Sequence, residues 1–303
     1  MTMKPKFVAL AVALLAGLVP AAAAEKVRVV TSTEDLASIA QIVGGGLVEA
    51  ESIVKGTQDP HFVEMLPSYM VRVRRADMYV KAGMSLDYWA QQIIDGSRNS
   101  RLVIVDASSA LPRESRLEVP SGKIDASMGD IHPEGNPHYW LDPANGALIA
   151  EVIAEGLRRA DPAHAEDWKT GLARFKTDLD RRIAGWKTEA APLEGLRIIT
   201  YHRSWPYFAR AFGIDVVDQL EPKPGVKPSP SHLASLIARV KGLDVALVAF
   251  EPYFERKTPE LLSRETGIPV VTLPPSVGGV PEVKTYYDLF DYDLRTLKAA
   301  VRK

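Results

Sequence analysis

The residues from about Ala163 to Glu189 constrain this chain more than any other stretch. Trp168, Leu172, Phe175, Leu179, Ile183 and Trp186 recur every three or four positions, which places one apolar stripe along a single long helix. At 1.5 Å per residue such a helix reaches about 40 Å, enough to span two halves of a protein. On both sides of it the chain alternates strand-like and helix-like segments, the rhythm of βαβ units on a parallel sheet. The expected fold is therefore α/β: two lobes with parallel sheets joined by one long rigid helix.

In the first half, Lys26–Val30 alternates as a strand. The hydroxyls of Thr31, Ser32 and Thr33 can cap a helix with Glu34 and Asp35 in its first turn, and Gly44-Gly45-Gly46 stops it. Glu51–Val54 reads as a second strand, Pro67–Arg75 as a helix, Met78–Val80 as a strand, Leu86–Ile94 as a helix and Leu102–Val105 as a buried strand. Ser108–Asn136 has no period and reads as a long surface loop, a length that is uncommon without a function. A helix over Asn145–Arg159 precedes the long one. The rhythm restarts with strands at Arg197–Thr200, Val216-Val217, Val245–Phe250 and Val270–Leu273. Helices are expected at Ser204–Phe212, Ser231–Lys241, Pro259–Thr266 and Tyr286–Val301. The division expected is 25–160 for the N-terminal lobe, 161–191 for the linker and 192–303 for the C-terminal lobe. No repeat between the halves is visible beyond this rhythm.

Residues 1–24 read as a secretory signal peptide. Lys4 and Lys6 precede an apolar run from Phe7 to Val19, too short for the roughly 20 residues that span a bilayer. Ala21–Ala24 supplies the small residues for cleavage after Ala23 or Ala24. The 303 residues include no cysteine, so disulfides, a lipid-bearing thiol and thiolate metal ligands are all excluded. Export into a Gram-negative periplasm, free of a lipid anchor, is the expectation. A net charge of −1 gives no electrostatic case for nucleic acid or an anionic membrane as partner.

Histidines carry the chemical signal. His61 follows Pro60, His138 stands in Asn136-Pro137-His138-Tyr139-Trp140-Leu141-Asp142-Pro143, and His202 follows the apolar run ending at Tyr201. Prolines hold the first two on stiff, mostly extended corners. His61 and His202 both follow predicted strands, at the edge where α/β sheets bind ligands. Convergence of these three on one metal ion between the lobes is expected, with Asp59, Glu64 and Asp142 as candidates to orient the rings. For Asp59 and Asp142 turn-making beside proline is the alternative. His132 is a weaker candidate, while His164 and His232 are expected in solvent. Nucleotide-binding, serine-hydrolase and HExxH signatures are all missing.

These stretches, with Thr31–Leu36, Ala76-Asp77-Met78, Gly83, Trp89, Tyr207-Phe208, Gly213 and Phe250-Glu251-Pro252, resemble the periplasmic metal-binding components of zinc and manganese ABC importers. The likeness runs through the whole mature chain. It implies two lobes on a rigid helix and His61, His138 and His202 as ligands. It further implies a monomer that delivers Zn²⁺, or less readily Mn²⁺ or iron, to an ABC permease in the inner membrane. One departure stands out. Where the family carries an acidic ligand, this chain has Leu273-Pro274-Pro275. Glu251 is the expected substitute as fourth ligand, with water, Asp130 or His132 as alternatives. The rival reading is a three-histidine zinc hydrolase or hydratase with Glu251 or Glu64 as base.

Overall fold

The computed structural model describes residues 25–301, so the proposed signal peptide lies outside the described residues. The N-terminal lobe comprises β1 (Val27–Thr31), α1 (Glu34–Gly44), β2 (Val48–Ser52), α2 (Pro67–Arg75), β3 (Met78–Lys81), α3 (Ala90–Ser97), β4 (Val103–Asp106) and α4 (Pro143–Ala160). The linker helix α5 (Ala165–Ala190) follows. Then come β5 (Arg197–Thr200), α6 (Pro206–Phe212), β6 (Asp215–Gln219), α7 (Pro230–Val240), β7 (Leu247–Phe250), α8 (Lys257–Thr266), β8 (Val270–Thr272) and α9 (Tyr286–Val301).

The sheets run in the orders β2-β1-β3-β4 and β6-β5-β7-β8, every pairing parallel. The two lobes thus share one topology, a repeat that the residues themselves do not show. Successive strand residues point to opposite faces, and this splits the core. Val29, Met78 and Val80, with Ile198, Leu247 and Ala249, face one large cluster that also takes Trp168, Phe175, Leu179 and Trp186 of α5. Val30 and Tyr79 face α2 and α3 on the outer side of the first sheet. Ile199, Val248 and Phe250 face α7 and α8 on the outer side of the second. The apolar stripe of α5 is therefore part of a core continuous through both lobes. α5 also approaches α1 so closely that a Cβ on Gly171 would stand 1.9 Å from the Val43 carbonyl oxygen.

Several local expectations change. Leu102–Val105 is an edge strand, not a buried one, with Ile104 42% exposed. β2 begins three residues earlier than its apolar run suggests, at Val48. α3 starts at Ala90 instead of Leu86, because Gly83, Met84 and Ser85 all take positive φ and the Asp87 carboxylate accepts from the Ala82 and Gly83 amides. Thr33 occupies the N-cap of α1, but its hydroxyl makes no capping bond.

The 108–136 segment is less a free loop than a strap. It leaves the first sheet after β4, and its further part is tied to the C-terminal lobe. Leu117 N donates to the Tyr207 hydroxyl, Arg210 donates to Ser115 O, Glu118 pairs with Arg203, and Asp130 N donates to Pro224 O at 2.8 Å.

Candidate metal centre

Two of the three predicted histidines are held by the same local device. In Asp59-Pro60-His61, the Asp59 Oδ1 accepts from both the backbone N–H (3.0 Å) and the Nδ1 (2.7 Å) of His61. In Asn136-Pro137-His138, the Asn136 Oδ1 accepts from the N–H and Nδ1 of His138, both at 3.0 Å. The side chain bonds the residue two positions on, as Asx turns do, and the intervening proline stiffens the turn. Asn136 is itself oriented, since its Nδ2 donates to Glu118 and to Arg203 O. Trp89 donates to the Pro60 carbonyl and pins the first corner.

The second corner is a rivet between lobes. The Tyr139 hydroxyl donates to Ala82 O, and Trp140 Nε1 donates to Pro275 O across the cleft. The Leu-Pro-Pro departure thus has a use here as a backbone acceptor. Asp142 caps α4 by accepting from Ala144 N and pairs with Arg210 at 3.0 Å; it orients a helix, not a ring.

His202 stands two residues beyond β5, with Glu221 Oε2 2.6 Å from its Nδ1. The Thr200 hydroxyl donates to His202 O, as the Thr31 hydroxyl donates to Thr33 O after β1. His202 thus occupies, in the second lobe, the place of Thr33 in the first.

In all three rings an oxygen acceptor holds Nδ1 as the protonated nitrogen and leaves the Nε2 lone pair free. The ring centroids lie 5.2 Å apart for His61 and His138, 5.1 Å for His61 and His202, and 5.5 Å for His138 and His202. Their ligand atoms fall within 4.8 Å of one another. The Nε2 atoms of His61 and His138 are buried and make no hydrogen bond. Burial, then the cost of placing a positive charge beside the His61 and His202 rings, pushes the His138 pKa well below its ordinary value, so this ring is neutral and able to ligate. Burial pushes the Asp59 carboxyl up, but the hydrogen bonds it accepts from His61 more than offset it and keep it ionised.

A second group shares His61. Asp130 Oδ2 lies 4.0 Å from His61 Nε2, and the His132 ring centroid lies 5.4 Å from that of His61. His132 is buried with its Nε2 unpartnered, and burial, followed by the cost of a positive charge beside the His61 ring, pushes its pKa down to about 4. A cavity of about 360 Å³ opens over His138, His202 and His132, with Glu118, Asp130 and Arg203 on its walls.

Glu251 belongs to neither of these groups, and its Oε2 is buried without a hydrogen-bond partner. Its Oε1 accepts from Ser204 Oγ and Trp205 Nε1, and burial pushes its pKa up to about 8. Glu64 is exposed. His164 bonds Asp161 at the start of the linker, and His232 is half-buried on α7; neither joins the cluster. The sequence reading did not single out Asn136 or Glu221 as orienting groups. The first had a signal, the repeated Asx-Pro-His pattern; the second, nineteen residues from its histidine, had none.

The family model described as zinc-uptake complex component A, periplasmic, matches residues 29–300. The manganese ABC transporter substrate-binding lipoprotein PsaA of Streptococcus mitis is 24% identical over 305 residues, covering 96% of this chain and 94% of its own. The iron ABC transporter substrate-binding lipoprotein MtsA of Streptococcus pyogenes serotype M1 is 24% identical over 259 residues, covering 82% and 79%. A crystal structure of ZnuA superposes with a TM-score of 0.76 at 25% identity, covering 91% of this chain and 100% of that one. These receptors bind and hand over a solute without transforming it, which sets aside the zinc-hydrolase reading. The chain belongs to the ZnuA family of extracytoplasmic metal-binding receptors of ABC importers.

Proposed function

We propose that this protein captures Zn²⁺ on the Nε2 atoms of His61, His138 and His202 and presents it to an inner-membrane ABC permease. One observation carries the reading: three buried imidazoles, each with Nδ1 held by an oxygen, direct free lone pairs into one space. Zinc binds imidazole nitrogen at about 2.0–2.1 Å and prefers four ligands, so small inward shifts of the rings would complete three positions. For the fourth position Asp130 offers a carboxylate oxygen 4.0 Å from His61 Nε2, and Glu251 a buried Oε2 with no hydrogen-bond partner, its Oε1 being held by Ser204 and Trp205. With no cysteine to carry an acyl chain, the mature chain is expected free in the periplasm, unlike the relatives named as lipoproteins.

Capture of Mn²⁺ or Fe²⁺ is the second reading. Asp130 favours it, since a carboxylate oxygen suits harder ions than imidazole does, and the relatives named above are manganese and iron proteins. Chelator-stripped protein should take up one zinc per chain, and should hold it more tightly than manganese. The triple variant His61→Ala, His138→Ala, His202→Ala should take up none. Unchanged stoichiometry in that variant would refute the site, and tighter manganese than zinc would refute the choice of ion.

A further inference from the structure

The turn after β6 joins a candidate metal ligand to the strap. Glu221 is buried at 8% exposure, and its Oε2 serves two partners at once: the Nδ1 of His202 at 2.6 Å and the backbone N–H of Gly225 at 3.1 Å. Pro222 and Pro224 fix φ within that turn, and Val226 N closes it on Lys223 O. The far side of the same turn holds the strap. Asp130 N donates to Pro224 O at 2.8 Å, and Lys223 Nζ donates to Ser127 O at 2.5 Å. Contact is close enough that a Cβ on Gly129 would stand 2.5 Å from Pro224 O, and one on Gly225 would stand 3.3 Å from Asp130 Cβ.

We infer that Glu221 is a positioning residue that couples the ring of His202 to the strap, so that one carboxylate oxygen sets both a metal ligand and the cover carrying Asp130 and His132. The chain of contacts is short and stiff: imidazole, carboxylate, a proline-bounded turn, then the strap backbone. Strap residues that belong in sequence to the first lobe are therefore placed by the second. An ion that draws the His202 ring inward pulls on Glu221, and through Gly225 on the turn that carries Asp130. Loading of the three histidines should then tighten the strap, and a loose strap should weaken the hold on the ion.

The inference rests on the metal-site reading above, but its test separates the two. Glu221→Ala and Glu221→Gln are compared with the wild-type mature chain, metal-free and with added zinc, by hydrogen exchange of the Ser127–His132 amides and by zinc affinity against a competing chelator. Glutamine keeps one oxygen able to accept from both partners; alanine keeps none. In the metal-free state the Asp130 and Ile131 amides should exchange roughly tenfold faster in the alanine variant than in the wild type, with β5 and β7 amides unchanged. Zinc should slow strap exchange in the wild type and the glutamine variant but not in the alanine variant, whose zinc affinity should fall roughly 10–100-fold. Strap exchange equal in wild type and alanine variant would overturn the coupling, even if affinity fell. A wild type that binds no zinc would overturn the metal-site reading alone, because the metal-free comparison still reports the latch. Faster exchange throughout the alanine variant, matched by the glutamine variant, would show a general structural role and also overturn the proposal.

Discussion

Replacing Asp35 by asparagine should remove a large part of the pH dependence of stability in the metal-free protein. Asp35 lies on α1 and reaches across to the other lobe, its Oδ2 accepting from Ser276 Oγ and its Oδ1 from Val277 N at 3.0 Å. Burial pushes its carboxyl from an ordinary 3.8 up to about 7, against the pull of those two hydrogen bonds. Below pH 3.8 the carboxyl is protonated in the folded and unfolded chain alike, and its stabilising contribution is complete. As pH rises the unfolded chain ionises first, so the contribution shrinks until the folded carboxyl itself ionises near pH 7. The whole change is worth about 4 kcal/mol, of which about 3 kcal/mol falls between pH 4.5 and 8. Asparagine keeps the shape and a neutral acceptor for Val277 and does not titrate. Asp293, buried beside it with its own carboxyl pushed well up, is present in both proteins. Urea melts with chelator at pH 4.5, 6 and 8 should show the variant gaining on the wild type by about 3 kcal/mol across the range, or roughly 6 °C in melting temperature. A stability difference constant to within about 0.5 kcal/mol at the three pH values would refute the assignment of Asp35 as a buried neutral acid.

Asp59→Asn should weaken zinc binding roughly 10–100-fold without altering the fold, because the ionised acceptor on His61 Nδ1 is lost; chelator competition with parallel circular dichroism measures both. Gly171→Ala should destabilise the protein by several kcal/mol, since the added Cβ meets backbone that cannot swing aside; a denaturant midpoint close to that of the wild type would show that α1 and α5 separate more easily than their packing implies.

Much of this architecture is legible in the residues because it rests on periodicity. Arg197–Thr200 and Tyr286–Val301 coincide with β5 and α9, where apolar spacing alone decides the outcome. The errors have physical causes. A four-residue apolar run such as Leu102–Val105 does not say whether neighbours cover it, and the edge position of β4 is a tertiary fact. Met84 and Ser85 adopt positive φ with no glycine to announce it, which delays α3. The strap's route across the cleft depends on pairing between Asp130 and Pro224, far apart in sequence. At the candidate site, Asp59 was legible as an orienting group because it lies two residues from His61; Asn136, at the same offset from His138, carried the same signal but was not singled out. Glu221 and the burial of Glu251 were not legible, because both follow from how the second sheet folds back on itself.

The continuous core along α5 bears on how the molecule comes apart. Lobes with separate cores can melt in sequence, one leaving the other standing. Here Val29, Phe175, Ile198 and Leu294 belong to one apolar mass, so unfolding either lobe strips the other of its packing. Cooperativity therefore extends over the whole chain, and calorimetry should record a single heat-absorption peak, with van't Hoff and calorimetric enthalpies in agreement.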